Sequence, residues 1–186
     1  MRRLVALVIG LVLAAVAFVA APAPASAATP YCGIRWGSLA KSAPGMSTSP
    51  LSNIRTGRHA CYDRIVLDIA GPVSGYSVRY VSTVLTVAQG DVVPLAGGAK
   101  LEVIALAPAT EVGSAPSTTD SYLPTNPAQL VDVTGYRTLR QLSWAGTFEG
   151  RTAIGVGVRA RLPFRVFVVR GPGWTNRIVI DFAHHW

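Results

Sequence analysis

From residue 61 onward the chain alternates between apolar and polar positions. In Tyr62-Asp-Arg-Ile-Val-Leu-Asp-Ile-Ala70, Ile65, Leu67 and Ile69 share one face, and Arg64, Val66 and Asp68 share the other. This is the period of two expected of a half-buried β-strand. Gly71-Pro-Val-Ser-Gly75 ends it as a turn. Residues 76–85, rich in Val, Tyr and Thr, predict one or two strands, and 100–107 predict another. Strands are also predicted over 134–144, 152–162, 164–170 and 177–182, with turns at 146–150 and at Gly171-Pro-Gly-Trp-Thr-Asn176. Pro163 separates two of these strands, because a proline cannot donate to a sheet ladder. Within 152–162, Gly157, Arg159 and Arg161 fall on one strand face, and Val156, Val158 and Ala160 on the other. No stretch beyond the N-terminal region carries a 3.6-residue apolar period, although 125–134 has room for one helical turn. Many short strands joined by Gly/Pro turns predict an all-β fold, a sandwich or a barrel.

The pattern differs on the N-terminal side. Arg2 and Arg3 precede an unbroken apolar run over 4–20, and a small-residue stretch follows, with an A-x-A site at Ala25 to Ala27. That order predicts a secretory signal peptide over 1–27, exported through the Sec route and cleaved after Ala27. The other reading of the same run is an uncleaved anchor, which is the only membrane association the sequence suggests. The residues before Cys32, Ala28-Thr-Pro-Tyr31, do not form a lipobox. Residues 28–60 are rich in Ser, Pro and Gly with little periodicity, and predict an irregular N-terminal arm ahead of a single β domain over 61–186. Residues 108–129 hold four prolines and predict a long loop, either functional or a mobile surface excursion.

Two cysteines, Cys32 and Cys61, are present. In an exported chain they read as one disulfide tying the arm to the β domain, worth roughly 3–4 kcal/mol in the chain-entropy model. Charge is unevenly spread. Residues 28–136 carry seven Lys/Arg against seven Asp/Glu, whereas 137–186 carry eight arginines, no lysine, and only Glu149 and Asp181 as acids. Arginine pairs carboxylates and phosphates bidentately, and such groups occur on wall polymers, nucleic acids and anionic lipids. A GC-rich coding bias also favours arginine over lysine, but it accounts less well for the clustering. Export separates the chain from nucleic acid.

Two segments nearly repeat: Asp63-Arg-Ile-Val-Leu-Asp-Ile-Ala70 and Asn176-Arg-Ile-Val-Ile-Asp-Phe-Ala183. Alternation turns Arg64 and Asp68 outward in the first, and Arg177 and Asp181 outward in the second. Within one strand the Arg and Asp stand roughly 13 Å apart, so each needs a cross-strand or external partner. An Arg-[Ile/Val]-Val-x-Asp strand at both ends of an exported all-β domain resembles the AMIN domain, and more closely the actinobacterial AMIN-like secreted proteins. Gly57-Arg-His-Ala-Cys-Tyr-Asp-Arg64, Gly75-Tyr-Ser-Val-Arg-Tyr80, Gly155-Val-Gly-Val-Arg159 and Pro163-Phe-Arg-Val166 add to the likeness, which covers about 57–183. The resemblance implies a β-sandwich of two small sheets with internal pseudo-symmetry, targeting envelope proteins to peptidoglycan.

Catalytic signatures are not evident. His59, His184 and His185 are the histidines available, and neighbouring histidines at a strand end point to opposite faces, which makes them a poor chelating pair. Neither a G-x-S-x-G elbow nor a phosphate-binding glycine loop occurs. Asp68 and Asp181 are the one tempting carboxylate pair, and their repeat positions explain them structurally. The expectation is a non-enzymatic protein without cofactor or metal, binding cell-wall glycan or peptidoglycan. The alternative is a protein-interaction module that docks an envelope enzyme or host factor. Candidate ligand-binding residues are Arg64, Asp68, Arg79, Tyr80, Arg159, Arg161, Trp174, Arg177 and Asp181. Two readings apply to Trp174, a platform for a sugar ring or a plug over the sandwich end. Two also apply to Arg64/Asp181 and Arg177/Asp68, ligand contacts or cross-strand ion pairs.

Overall fold

The computed structural model describes residues 30–112 and 118–186. The leader expected over 1–27 lies outside the described residues, as does 113–117 of the expected long loop. A 3-10 turn at Tyr31–Gly33 precedes the strands. In chain order these are β1 (Lys41–Ala43), β2 (Leu51–Arg58), β3 (Tyr62–Ile69), β4 (Tyr76–Val81), β5 (Val84–Leu85), β6 (Val92–Val93), β7 (Ala99–Ala105), β8 (Thr110–Val112), β9 (Thr118–Asp120), β10 (Leu139–Phe148), β11 (Arg151–Val158), β12 (Phe164–Arg170) and β13 (Asn176–Ala183).

Two sheets face each other. One has five strands in the order β1-β4-β7-β11-β10, and the other has four, β12-β13-β3-β2. Val78, Leu101, Val103, Ile154 and Val156 of the first sheet pack against Ile65, Leu67, Ile69, Ile178, Ile180 and Phe182 of the second in one buried cluster. The fold is an all-β sandwich: the alternation predicts the all-β class, and the AMIN resemblance implies the sandwich rather than a barrel. The two repeats become β3 and β13, which pair antiparallel at the centre of the four-stranded sheet. Arg64 faces Asp181, Val66 faces Val179, and Asp68 faces Arg177. A local two-fold therefore passes between Val66 and Val179.

Three expectations are corrected. First, the irregular arm over 28–60 contains β1 and β2, so the β region begins ahead of residue 61. A bulge at Ser52 hides β2 in the sequence. Leu51 opposes Ile69 and Asn53 opposes Asp68, which leaves Ser52 unpaired. The buried residues Leu51 and Ile54 consequently stand three apart rather than two. Second, the loop expected over 108–129 includes the short hairpin β8–β9. No helical turn forms over 125–134. The side chains of Asn126 and Asp132 instead accept the N–H groups of Ala128 and Thr134, the local bonding by which Asn and Asp favour turns.

Third, β11 ends at Val158, so Arg159 and Arg161 do not extend a strand face. The Arg159 N–H leaves the ladder for the carbonyl of Thr138. The Leu162 N–H and carbonyl bond the Tyr80 hydroxyl, each at 2.9 Å. Moreover, β11 is buried on both faces. Residues 84–96 cross the outer side of the five-stranded sheet, where Val84 and Val93 pack on Ala145 and Ala153. Gly157 permits this crossing, since a Cβ there would run into the backbone of Ala96.

The Cys32–Cys61 disulfide ties the remaining arm down, with Cα atoms 6.1 Å apart. Beyond it, Gly37 accepts the Phe164 N–H at 2.9 Å and draws Trp36 across the end of β12.

Candidate functional site

The outward face of the four-stranded sheet carries three rows of side chains. Opposing residues align Arg165, Asp181, Arg64 and Gly57 in the first row. Phe167, Val179, Val66 and Arg55 form the second, and Val169, Arg177, Asp68 and Asn53 the third. The middle row is largely apolar, and both flanking rows hold a carboxylate beside an arginine.

Each carboxylate is held by two arginines. Arg64 grips Asp181 bidentately, from Nε at 2.6 Å and Nη2 at 2.9 Å, and Arg165 adds Nε at 2.9 Å. Arg55 grips Asp68 in the same fork, at 2.6 and 2.9 Å, while Arg177 Nε reaches it at 3.2 Å. The two clamps match in outcome but not in sequence position. Arg165 lies directly opposite Asp181, whereas Arg55 reaches Asp68 on the diagonal from the middle row. The carboxylate bonds hold the guanidinium groups of Arg64 and Arg55 above the ordinary arginine value, against the opposing pull of burial.

Residues expected to face solvent are in part covered. Asp181 is 0% exposed and Val66 6%. The cover is made of long side chains lying flat. The Arg165 guanidinium sits 4.5 Å from the Trp36 ring centre and 5.0 Å from that of Phe167. Arg64 lies 5.3 Å from the Tyr62 ring and 5.7 Å from Phe167. Cations at these distances over ring faces are attracted by the ring quadrupole, and the arginine stems shield the apolar floor.

Between the clamps the face sinks into a cavity of about 300 Å³, with Val66 and Val179 among its lining and Arg55, Arg64, Phe167 and Arg177 around it. Four arginines stand against two aspartates here, an excess of two positive charges. Arg177 uses only its Nε in hydrogen bonds among the described residues. Its terminal amino groups and the half-exposed Arg55 and Arg165 therefore present donors above an apolar floor.

The remaining expected residues lie elsewhere. Trp174, in the β12–β13 turn, is 87% exposed, so it does not plug the sandwich. With Pro72, Arg170, Gly173 and Asn176 it lines a second cavity of about 320 Å³, off the end of β12 and β13 that carries the third row. Arg79 pairs with Glu102 across the five-stranded sheet, on that sheet's outward face, at 2.6 Å from Nη2. Arg161 stacks 5.0 Å over Tyr80, and both border a cavity of about 380 Å³ with Gly97 and Lys100, separate from the arginine face. Arg159 donates to the His184 carbonyl. The structure thus gathers Arg64, Asp68, Arg177 and Asp181 on one face, sets Trp174 at its end, brings Tyr80 and Arg161 together at a second place, and leaves Arg79 and Arg159 apart from both groups.

Sequence reasoning missed Arg55, Arg165, Phe167 and Trp36. The alternation Arg165-Val-Phe167-Val-Val169 carried a signal for β12. Nothing local marks Trp36, whose position depends on the disulfide and the bond to Gly37. Also missed was the buried pair Asp63–His184, with Nε2 to Oδ1 at 3.0 Å. Among the described residues, no group of three His, Cys, Asp or Glu side chains is disposed to hold a metal ion.

The model of the AMIN-like domain family matches residues 49–184, well over half of the chain. Among curated proteins and solved structures, none matches the chain.

Proposed function

The chain belongs to the AMIN-like domain family, and from that premise we propose that it is a non-catalytic binding module of the cell envelope, whose ligand is peptidoglycan or another anionic wall polymer. The family fits an envelope or secreted protein, and among the described residues no helix is long and apolar enough to cross a membrane.

The observation that carries the reading is the cavity on the four-stranded sheet, with its apolar floor and arginine rim. A wall glycopeptide presents methyl groups and sugar faces beside carboxylates. The apolar floor suits the former and the arginine donors suit the latter. Trp174, exposed in the turn between β12 and β13, is the platform on which a neighbouring sugar ring stacks. Asp68 and Asp181 serve as positioning residues. Each is occupied by two arginines and holds their forks in place rather than acting as acid or base.

Co-sedimentation with purified cell wall tests the reading. The mature protein is expected in the pellet at physiological salt, with retention falling as salt rises because exposed charges are screened. Exchanging Arg177→Gln together with Phe167→Ala should move most of it to the supernatant without altering the melting temperature by more than a few degrees. Equal retention of this variant would remove the face from the mechanism, and no retention of the wild type would remove the function.

A second reading, docking of an envelope enzyme or host factor, is favoured by one observation. The edge strand β12 leaves Val169 38% exposed, close to Trp174. In-cell cross-linking from position 169 would then yield one dominant protein neighbour.

A further inference from the structure

Where β2 turns into β3, a cavity of about 290 Å³ is lined by Arg58, His59, Asp63, Gly135, Arg137 and His184 among others. Its floor is buried and its rim is cationic. Asp63 and His184 are 1% and 2% exposed. The Asp63 carboxylate is fully engaged from within the fold. Its Oδ2 accepts the N–H groups of Thr138 and Leu139 at 2.6 and 3.1 Å, and its Oδ1 faces His184 Nε2 at 3.0 Å. Its lone pairs are thus taken up inside the fold, and neither rim guanidinium bonds it among the described residues.

The rim is formed by Arg58 and Arg137, both exposed. Among the described residues neither guanidinium lies within ion-pair distance of a carboxylate, unlike the four on the sheet face. The nearby carbonyls of Tyr136, Arg137 and Leu139 already accept from Arg140, which folds back on this loop. Arg58 lies 5.8 Å over the Tyr136 ring. Its Nη1 closes against Gly135, where φ is +78° and a Cβ would come within 3.4 Å of it. His184 Nδ1 is buried without a hydrogen-bond partner among the described residues. With Nε2–H donating to Asp63, Nδ1 holds a lone pair, so the donors for an anion here are the two guanidinium groups.

Two unpaired guanidinium groups at one opening repel each other, and an oxyanion between them removes the repulsion while accepting from both forks. We propose that this cavity is an oxyanion-binding site, taking a phosphate or carboxylate group between Arg58 and Arg137. The site adjoins the arginine-rimmed sheet face, His59 lining both cavities, but its two rim arginines belong to neither clamp and it does not depend on the identity of that face's ligand.

An NMR titration of the wild-type mature protein with inorganic phosphate, and in parallel with acetate, tests it at constant ionic strength. Saturable shifts are expected at Gly135, Thr138 and the His184 ring, while Arg79 and Glu102 stay unmoved. The anion that binds more tightly identifies the natural group as phosphoryl or carboxyl. Arg58→Gln and Arg137→Gln should each weaken binding by about tenfold or more, the usual consequence of losing a charge-assisted hydrogen bond. Three results would overturn the proposal: no saturable shift with either anion in the wild type, shifts that survive both substitutions, or shifts confined to Phe167 and Arg177, which would assign the anion to the sheet face.

Discussion

At the scale of single residues, the deciding feature is that Asp181 is fully buried yet ionically paired. A buried carboxylate is tolerated only when its charge and lone pairs are met, and Arg64 and Arg165 meet them. Arg64→Ala, which removes the bidentate partner, should cost about 3 kcal/mol in urea unfolding. Arg165→Ala, removing a partner that is 41% exposed, should cost about 1 kcal/mol. Equal effects would contradict the asymmetry of the clamp. Tyr80 gives a pH-dependent prediction. Burial raises its phenol above the ordinary 10.0, outweighing the bond to Leu162 and the charge of Arg161. The folded value lies above the unfolded one, so this contribution is complete below about pH 10 and lost as pH rises through the raised value. Burial also raises the Tyr122 phenol, so phenolate absorbance should show two late-titrating tyrosines, of which Tyr80→Phe removes one. The outward Arg and Asp positions were legible from the period of two. Which partner each chose was not, because Arg55 reaches Asp68 along a diagonal that no single strand encodes.

At the scale of elements, alternation located the strands where it was regular and failed where geometry interrupts it. β3, β12 and β13 followed their predicted spans closely. β2 escaped notice because the Ser52 bulge shifts its buried residues out of phase. The reading of β11 placed Arg159 on a strand face because alternation alone does not report the turn that begins after Val158. Gly155 and Gly157 mark where residues 84–96 press on the sheet. Gly157→Val should therefore cost about 2–3 kcal/mol through overpacking and loosen the β5–β6 hairpin. Faster amide exchange at Thr86 and Val87, whose N–H groups bond Asp91 and Ala145, would report it. The disulfide positions the arm, so Cys32→Ser with Cys61→Ser should lower stability by about 3 kcal/mol and red-shift the fluorescence of Trp36. If Trp36 stays shielded in that variant, the bond between Gly37 and Phe164 suffices to hold it.

At the scale of the whole molecule, the repeat makes functional sense as a local two-fold. It brings β3, near the start of the domain, beside β13 at its end and sets two Arg-Asp-Arg clamps on either side of an apolar centre. The C-terminal excess of arginine, evident in the sequence, is partly consumed there. Arg165 and Arg177 join clamps, whereas Arg137 remains unpaired at the sheet's end. Charge counting alone did not separate arginines that build the face from those free to meet a ligand, since that depends on which strands become neighbours. The central claim is that the four-stranded sheet's outward face receives wall material. Chemical-shift mapping with soluble muropeptides tests it most directly. The account predicts perturbations centred on Arg55, Val66, Phe167, Arg177 and Val179, extending to Trp174 as the glycan lengthens. Perturbations centred instead on Arg79 and Glu102 of the opposite sheet, or none at saturating fragment, would contradict it.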